Sequence, residues 1–312
     1  MKKVLIIIIS VLSLCAAALG ALASLNHIHY KVEQNTEFTI TTEDDFYLYI
    51  EHYNQYNVVR LEKNLELKLP FTSIGTKKDP YKNVFDGQGY SITLLEEAKN
   101  TPLFGTISES GVIKNLELFV NNCEITTASY GALAIQNKGT IINCIIELTA
   151  SVNADTMASA IACINEGSIS YCHAKSIITN NINSARKESI IASCVAFNNG
   201  SIDSLISYID YTNFTQIDSE EILNGELNNT IGAVYGINNS TSSKISNCYY
   251  SGNKKMYVSD MKYVKNLASL NVSFDEATLL NTFHFNNKIW NLSLGDAYEI
   301  GYEISLKDGV SV

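Results

Sequence analysis

Between Leu103 and Tyr250 one short pattern returns five times, and this repetition limits the fold more than any other feature of the chain. Aligned on a central Gly, the copies are Leu103–Gly111, Gly131–Gly139, Ser159–Gly167, Ala192–Gly200 and Gly232–Ser240. The last four end almost alike, as Gln136-Asn137-Lys138-Gly139, Ile164-Asn165-Glu166-Gly167, Phe197-Asn198-Asn199-Gly200 and Ile237-Asn238-Asn239-Ser240. An isoleucine follows each copy (Ile113, Ile141, Ile169, Ile202, Ile245), at spacings of 28, 28, 33 and 43 residues. Three residues further on stand Leu116, Cys144, Cys172, Leu205 and Cys248. Self-similarity at such a period is the signature of a solenoid.

Alternation selects the kind of solenoid. Apolar residues recur at every second place in Leu116-Glu-Leu118-Phe-Val120 and in Cys144-Ile-Ile146-Glu-Leu148. Period two means strands, and Asn-x-Gly between two such runs means a turn. All three prolines, Pro70, Pro80 and Pro102, precede the repeats. That suits coils whose strands are paired on both sides, where a missing N–H would leave a carbonyl unpaired. The expected fold is all-β: a single-stranded right-handed parallel β-helix (β-solenoid) over 58–253. The alignment makes Cys144 and Cys172 neighbours on successive coils.

At 312 residues and 46% hydrophobic content, the chain suits one elongated domain behind a leader. The formal charge is −10, and −12 without Lys2 and Lys3. No basic cluster lies outside the leader, which argues against nucleic acid and anionic membrane surfaces as partners. Lys2-Lys3 followed by the uncharged run Val4–Leu25 reads three ways. It is a secretory signal peptide (1–23), an uncleaved membrane anchor that tethers the chain, or, through Leu12-Ser13-Leu14-Cys15, a lipoprotein signal. All three place the domain outside the cytoplasm, extracellular or on the cell surface.

Residues 24–38 read as a linker. Over 39–57 an N-terminal capping helix is expected, with Thr42 as N-cap, Glu43, Asp44 and Asp45 in its first turn, and Phe46, Ile50 and Tyr53 as its apolar stripe. A solenoid end exposes core and strand edge, so such a lid is required. Val58–Leu61 and Leu65–Leu67 read as the first strands, and Asp86-Gly87-Gln88-Gly89 as a turn. Over 254–312 a C-terminal cap is expected. In it, Ser259 caps a helix over Asp260–Ala268, and Phe283, Phe285, Trp290 and Tyr298 supply aromatic mass.

These segments come in a familiar order. The capped helix, Ser73-Ile74-Gly75, Phe85–Ile92, Leu103-Phe104-Gly105 and the tandem turns together resemble the GLUG-repeat surface proteins. Those are bacterial β-helices found in adhesins and beside the immunoglobulin A metallopeptidases. The likeness runs from about Thr41 to Tyr302. It implies an extracellular, adhesin-like scaffold and carries over no catalytic residue.

Chemistry is sparse by comparison. The histidines are His27, His29, His52, His173 and His284, and none forms the His-Glu-x-x-His pair that places two zinc ligands on one helix face. No metal site, cofactor or catalytic residue is predicted. Carbohydrate-active β-helices need stacked carboxylates on an outer face. With Leu116, Cys144, Cys172 and Leu205 pointing inward, the outer columns read Glu117, Ile145, His173, Ile206, Tyr249 and then Phe119, Glu147, Lys175, Tyr208, without stacked acids. An acidic substitution at His173 is accordingly expected to be tolerated. A polysaccharide lyase or glycoside hydrolase stays open only if loops such as Asn180–Glu188 or Asp218–Asn229 bring acids together. A purely structural surface module is the third alternative.

Six cysteines follow Cys15. Three of them fill the Leu slot and act as small core hydrophobes, while a Cys144–Cys172 bridge stays open. Asn137, Asn165, Asn198 and Asn238 are expected to form a ladder of side-chain amides. The candidate binding surface is the apolar stripe Phe119, Ile145, Ile206, Tyr208 and Tyr249, facing a host or cell-envelope glycan or protein. The competing expectation is that a loop, Asp218–Asn229 first among them, folds over the stripe.

Overall fold

A computed structural model describes residues 37–153, 155–181, 189–212, 230–238, 244–252, 268–269, 290–293 and 303–306. The leader, nearly all of the linker, the helix expected after Ser259, Phe283, Phe285, Tyr298 and most of the two loops named above lie outside these residues. Among the described residues no helix is long and apolar enough to cross a membrane.

The described chain is mostly β, with parallel sheets and one α-helix. From the third copy onward, each repeat gives one strand to each of three sheets, and the second copy gives two strands to the long one. The four-stranded sheet takes Ser129–Gly131, Met157–Ser159, Ile190–Ala192 and Thr230–Gly232. The five-stranded sheet takes Phe104–Ile107, Ala134–Asn137, Ala162–Asn165, Val195–Asn198 and Tyr235–Asn238. The long sheet, of 13 strands, includes Thr140–Ile142, Ile145–Val152, Ser168–Asn180, Ser201–Thr212 and Lys244–Gly252. Every strand in these sheets pairs in parallel with its equivalents in adjacent repeats. The register aligns Ile113, Ile141, Ile169, Ile202 and Ile245 in one row, as the repeat spacing requires.

The Asn-x-Gly turns recur for a steric reason and a polar one. A Cβ on Gly167 would meet Gly139 O at 2.1 Å, and one on Gly200 would meet Gly167 O at 2.2 Å. Only glycine lets each turn sit this closely on the previous one. The asparagines supply the polar part. Asn137 Nδ2 donates to Asn165 Oδ1 (2.8 Å), Asn165 Nδ2 to Asn198 Oδ1 (2.8 Å) and Asn198 Nδ2 to Asn238 Oδ1 (3.0 Å). The expected amide ladder is present, and its first three side chains are fully buried.

The inward slot is filled as the alignment predicts. Leu116, Cys144, Cys172, Leu205 and Cys248 are all fully buried, and the flanking pairs set Cys144 beside Cys172. All six cysteines here are free thiols. Each slot thiol reaches the carbonyl two residues before it: Cys144 to Ile142 O (3.3 Å), Cys172 to Ser170 O (3.2 Å) and Cys248 to Ser246 O (3.2 Å). The residue just before each slot sits in the left-handed region, Asn115, Asn143, Tyr171, Ser204 and Asn247 having φ between 52 and 53°. Asparagine tolerates that conformation; tyrosine does so only at a cost.

At the N-terminal end the helix α1 spans Glu43–His52, with Thr42 and Asp45 forming a capping box. Its buried residues are Phe46 and Tyr49, while Ile50 and Tyr53 are partly buried against the core, so the stripe turns one residue from the expected Phe46/Ile50/Tyr53 line. Phe46 meets Phe71 edge to face, and Tyr49 joins an aromatic group with Phe85, Phe104 and Tyr81, in which Phe85 and Phe104 meet edge to face at 5.5 Å. Each such ring pair adds about 1 kcal/mol to its area burial. The sequence reading missed one element here: Glu37–Ile40 is a strand, paired in parallel with Val58–Leu61, where a linker was expected to run into the helix. Its four residues are too few to show an alternation against polar flanks.

At the other end, Trp290–Ser293 and Glu303–Leu306 form an antiparallel pair of their own. The backbone N–H of Leu306 donates to Glu117 Oε1 at 2.7 Å, which ties this hairpin to the long sheet.

Candidate binding surface

The strand register brings the sequence-predicted columns together. Ile145 lies opposite Glu117 and His173, His173 opposite Ile206, and Ile206 opposite Tyr249. Phe119, Glu147, Lys175 and Tyr208 form the next column. The expectation that Phe119, Ile145, Ile206 and Tyr208, drawn from the two columns, form an open stripe fails. Ile145 is 2% exposed, Ile206 0% and Tyr208 5%, and Phe119 is half-buried. Tyr249 keeps its place in the register, but its side chain lies outside the described residues. Burial of this stripe agrees with the competing expectation of a cover. Leu306 of the C-terminal strand pair is bonded to Glu117, the first position of the first column, and the loop at 218–229 lies outside the described residues. Period-two alternation shows which face of a strand a residue takes; it does not show what a segment far along the chain lays over that face.

His173 carries the largest consequence. It is 6% exposed, and neither ring nitrogen has a hydrogen-bond partner among the described residues. Burial, with Lys175 as a lesser cause, lowers its pKa to about 4. The imidazole is neutral at pH 7 and stands in the covered column. An acidic residue would not be tolerated there, contrary to the expectation from alternation.

A different surface is open. A groove of about 810 Å³ is lined by Thr106, Gln136 and Ile164, which share one register column, together with Lys77, Pro80, Ser108, Glu109, Ser110 and Lys138. Phe197 and Ile237 continue that column on the next two strands and are half-buried. The column is the position just before the Asn ladder, so the fixed asparagines hold its side chains in step. Lys138 Nζ stands 3.2 Å from Glu166 Oε2, and Gln136 Nε2 donates to Glu166 Oε1 at 3.2 Å. These cross-repeat bonds link the groove to the neighbouring turn.

The lining offers hydroxyls, an amide, one carboxylate and two ammonium groups beside Ile164 and Pro80. Such a mixture suits an uncharged, hydroxyl-rich ligand better than a strongly ionic one, because Lys138 is matched by Glu166. The groove volume falls within the usual range of ligand sites. Among the described residues no three His, Cys, Asp or Glu side chains converge as a metal site. The column was legible in the sequence as Gln136, Ile164, Phe197 and Ile237, each one place before a ladder asparagine. Lys77 and Pro80 were not, since they come from a loop outside the repeats. No protein-family model matches this chain, and no curated protein matches it.

Proposed function

We propose that the chain is an exported surface scaffold, a right-handed parallel β-helix of the kind the GLUG-repeat resemblance implies, with adhesin-like binding of a glycan or protein ligand. The apolar leader supports export. The delivery of strands by successive repeats to three parallel sheets supports the helical coil, with α1 as its N-terminal cap. The observation that carries the binding reading is the open groove on the Thr106–Gln136–Ile164 column. Its side chains are spaced by the strand repeat of about 4.8 Å, so an extended ligand lying along the column meets Thr106 and Gln136 first and then the apolar Ile164.

Glu109 is the one carboxylate among the groove's lining residues, short of the facing pair that glycoside hydrolysis uses. Binding without turnover is therefore the favoured reading. An array of host and cell-wall glycans and proteins, probed with the wild type and with Gln136→Ala/Ile164→Ser, tests it. Retained ligands in the wild type and at least tenfold weaker retention in the double variant are expected. Reducing-end release from polysaccharide, abolished by one Asp or Glu substitution, would replace this reading with an enzyme.

A further inference from the structure

The column that lines the groove changes character along its length. Thr106, Gln136, Ile164, Phe197 and Ile237 lie opposite one another in register, one from each copy of the repeat. The first three line the groove, where Thr106 and Gln136 supply a hydroxyl and an amide. Phe197 and Ile237 lie beyond the lining, and with Ile164 they make a half-buried apolar ridge around one aromatic ring. Single exposed apolar residues are ordinary on a protein surface; three in one register column, running on from an open groove, are not.

Charge and hydrogen bonding narrow what such a column can take. Lys77 and Lys138 are balanced by Glu109 on the lining and by Glu166, which lies 3.2 Å from Lys138. The chain as a whole carries −10. A polyanion gains nothing in the groove and is repelled by the rest of the molecule. The strands Ala134–Asn137, Ala162–Asn165 and Val195–Asn198 are each paired on both sides. A peptide finds no free strand edge to extend here, so binding by added-strand pairing is closed to it. The column presents side chains alone, hydroxyls and an amide first and then a ring between two isoleucines. A chain of neutral sugars is the complement, with hydroxyls along its edges and C–H faces between them.

We propose that Ile164, Phe197 and Ile237 form a second subsite continuous with the groove, and that the whole column takes an extended chain of neutral sugars. This rests on the binding role proposed above for the groove. The five positions span roughly 20 Å, four strand steps of about 4.8 Å. A chain of several rings reaches from the hydroxyls to Phe197, whereas a disaccharide fills one end only. Gln136, Ser108 and Ser110 meet sugar hydroxyls, and Phe197 packs against the apolar face of a ring.

The test is calorimetric titration of the full chain with neutral disaccharides and hexasaccharides of glucose, mannose, xylose and N-acetylglucosamine. A hexagalacturonate and an uncharged Gly/Ser/Thr peptide are titrated beside them. At least one neutral hexasaccharide is expected to bind about tenfold tighter than its own disaccharide. Phe197→Leu, which stays apolar and loses the ring, should weaken that hexasaccharide about tenfold and leave the disaccharide unchanged. Phe197→Tyr should keep the hexasaccharide, and Gln136→Ala/Ile164→Ser should weaken both sugars. Should Phe197→Leu not fold, the hexasaccharide must shift the Phe197 ring resonances of the wild type by NMR, and the disaccharide must not. The proposal is overturned if no neutral hexasaccharide binds, if chain length makes no difference, if Phe197→Leu spares the hexasaccharide or weakens both sugars alike, or if the ring resonances stay in place. Binding of the hexagalacturonate or the peptide alone, lost in Gln136→Ala/Ile164→Ser, overturns it while leaving the groove's binding role standing. Ligands that the double variant retains in full remove both.

Discussion

Asn165 donates its side-chain N–H to Asn198 Oδ1 at 2.8 Å, across 33 residues of sequence, with both side chains fully buried. Each amide in this ladder can meet its partner only if the two repeats are stacked in register. Asn165→Leu leaves Asn198 Oδ1 with only the longer bond from Gly200 N–H (3.4 Å) and Asn137 Nδ2 with only Ser168 O (3.4 Å). The expected loss is roughly 2–4 kcal/mol, since each unsatisfied buried group costs about 1–3 kcal/mol. Urea denaturation checks it: the midpoint falls while the slope stays the same.

The left-handed column offers the opposite test. Tyr171 stands at φ 52° where its equivalents Asn115, Asn143 and Asn247 are asparagines. Tyr171→Asn should stabilise the fold by about 1 kcal/mol, and Asn143→Tyr should destabilise it by at least as much. Thermal melts of the two variants should move in opposite directions.

Both Ile169 and His173 lie on the long sheet, and the structure makes both of them interior. Ile169→Asp and His173→Asp should each cost several kcal/mol, because each buries a carboxylate without a partner. Lys175→Gln, on the half-exposed neighbouring column, should stay within about 1 kcal/mol of the wild type. Melting curves of the three variants separate these outcomes.

The thiols give a pH-dependent test. Burial raises the pKa of Cys123 and Cys163 to about 11 and of Cys248 to about 12, from 9.0, and puts Cys144 and Cys194 well above the usual range. The folded state favours the protonated thiols, so this stability is whole below pH 9 and drains away as pH rises toward 12. A thiol-specific reagent at pH 8 should leave Cys123, Cys144, Cys163, Cys172, Cys194 and Cys248 unmodified in the folded protein and modify all of them in denaturant.

Much of this was legible in the residues. The spacing of the isoleucines set the parallel register, and Asn137, Asn165, Asn198 and Asn238 announced the ladder, because local turn chemistry and period-two alternation are written in short windows. Glu37–Ile40 was missed because a lone edge strand has almost no pattern of its own. His173 and Ile206 were assigned to the correct face but the wrong environment. Both are buried on the outward face, and alternation along a strand does not report what is laid over the face it assigns. The groove needed Lys77 and Pro80, whose loop meets the repeats only in three dimensions.

Stacking of successive repeats underlies the ladder and the groove alike, and zero-length cross-linking of amines to carboxylates tests it most directly. Lys138 Nζ lies 3.2 Å from Glu166 Oε2, and Lys175 Nζ 3.9 Å from Glu147 Oε2, each pair joining adjacent copies. Peptide mass spectrometry of the folded, cross-linked chain should find Lys138–Glu166 and Lys175–Glu147 links, and unfolding before the reaction should remove them. Absence of both links from the folded protein, or joining of these lysines mainly to carboxylates two or more repeats away, would contradict the stacked-repeat account.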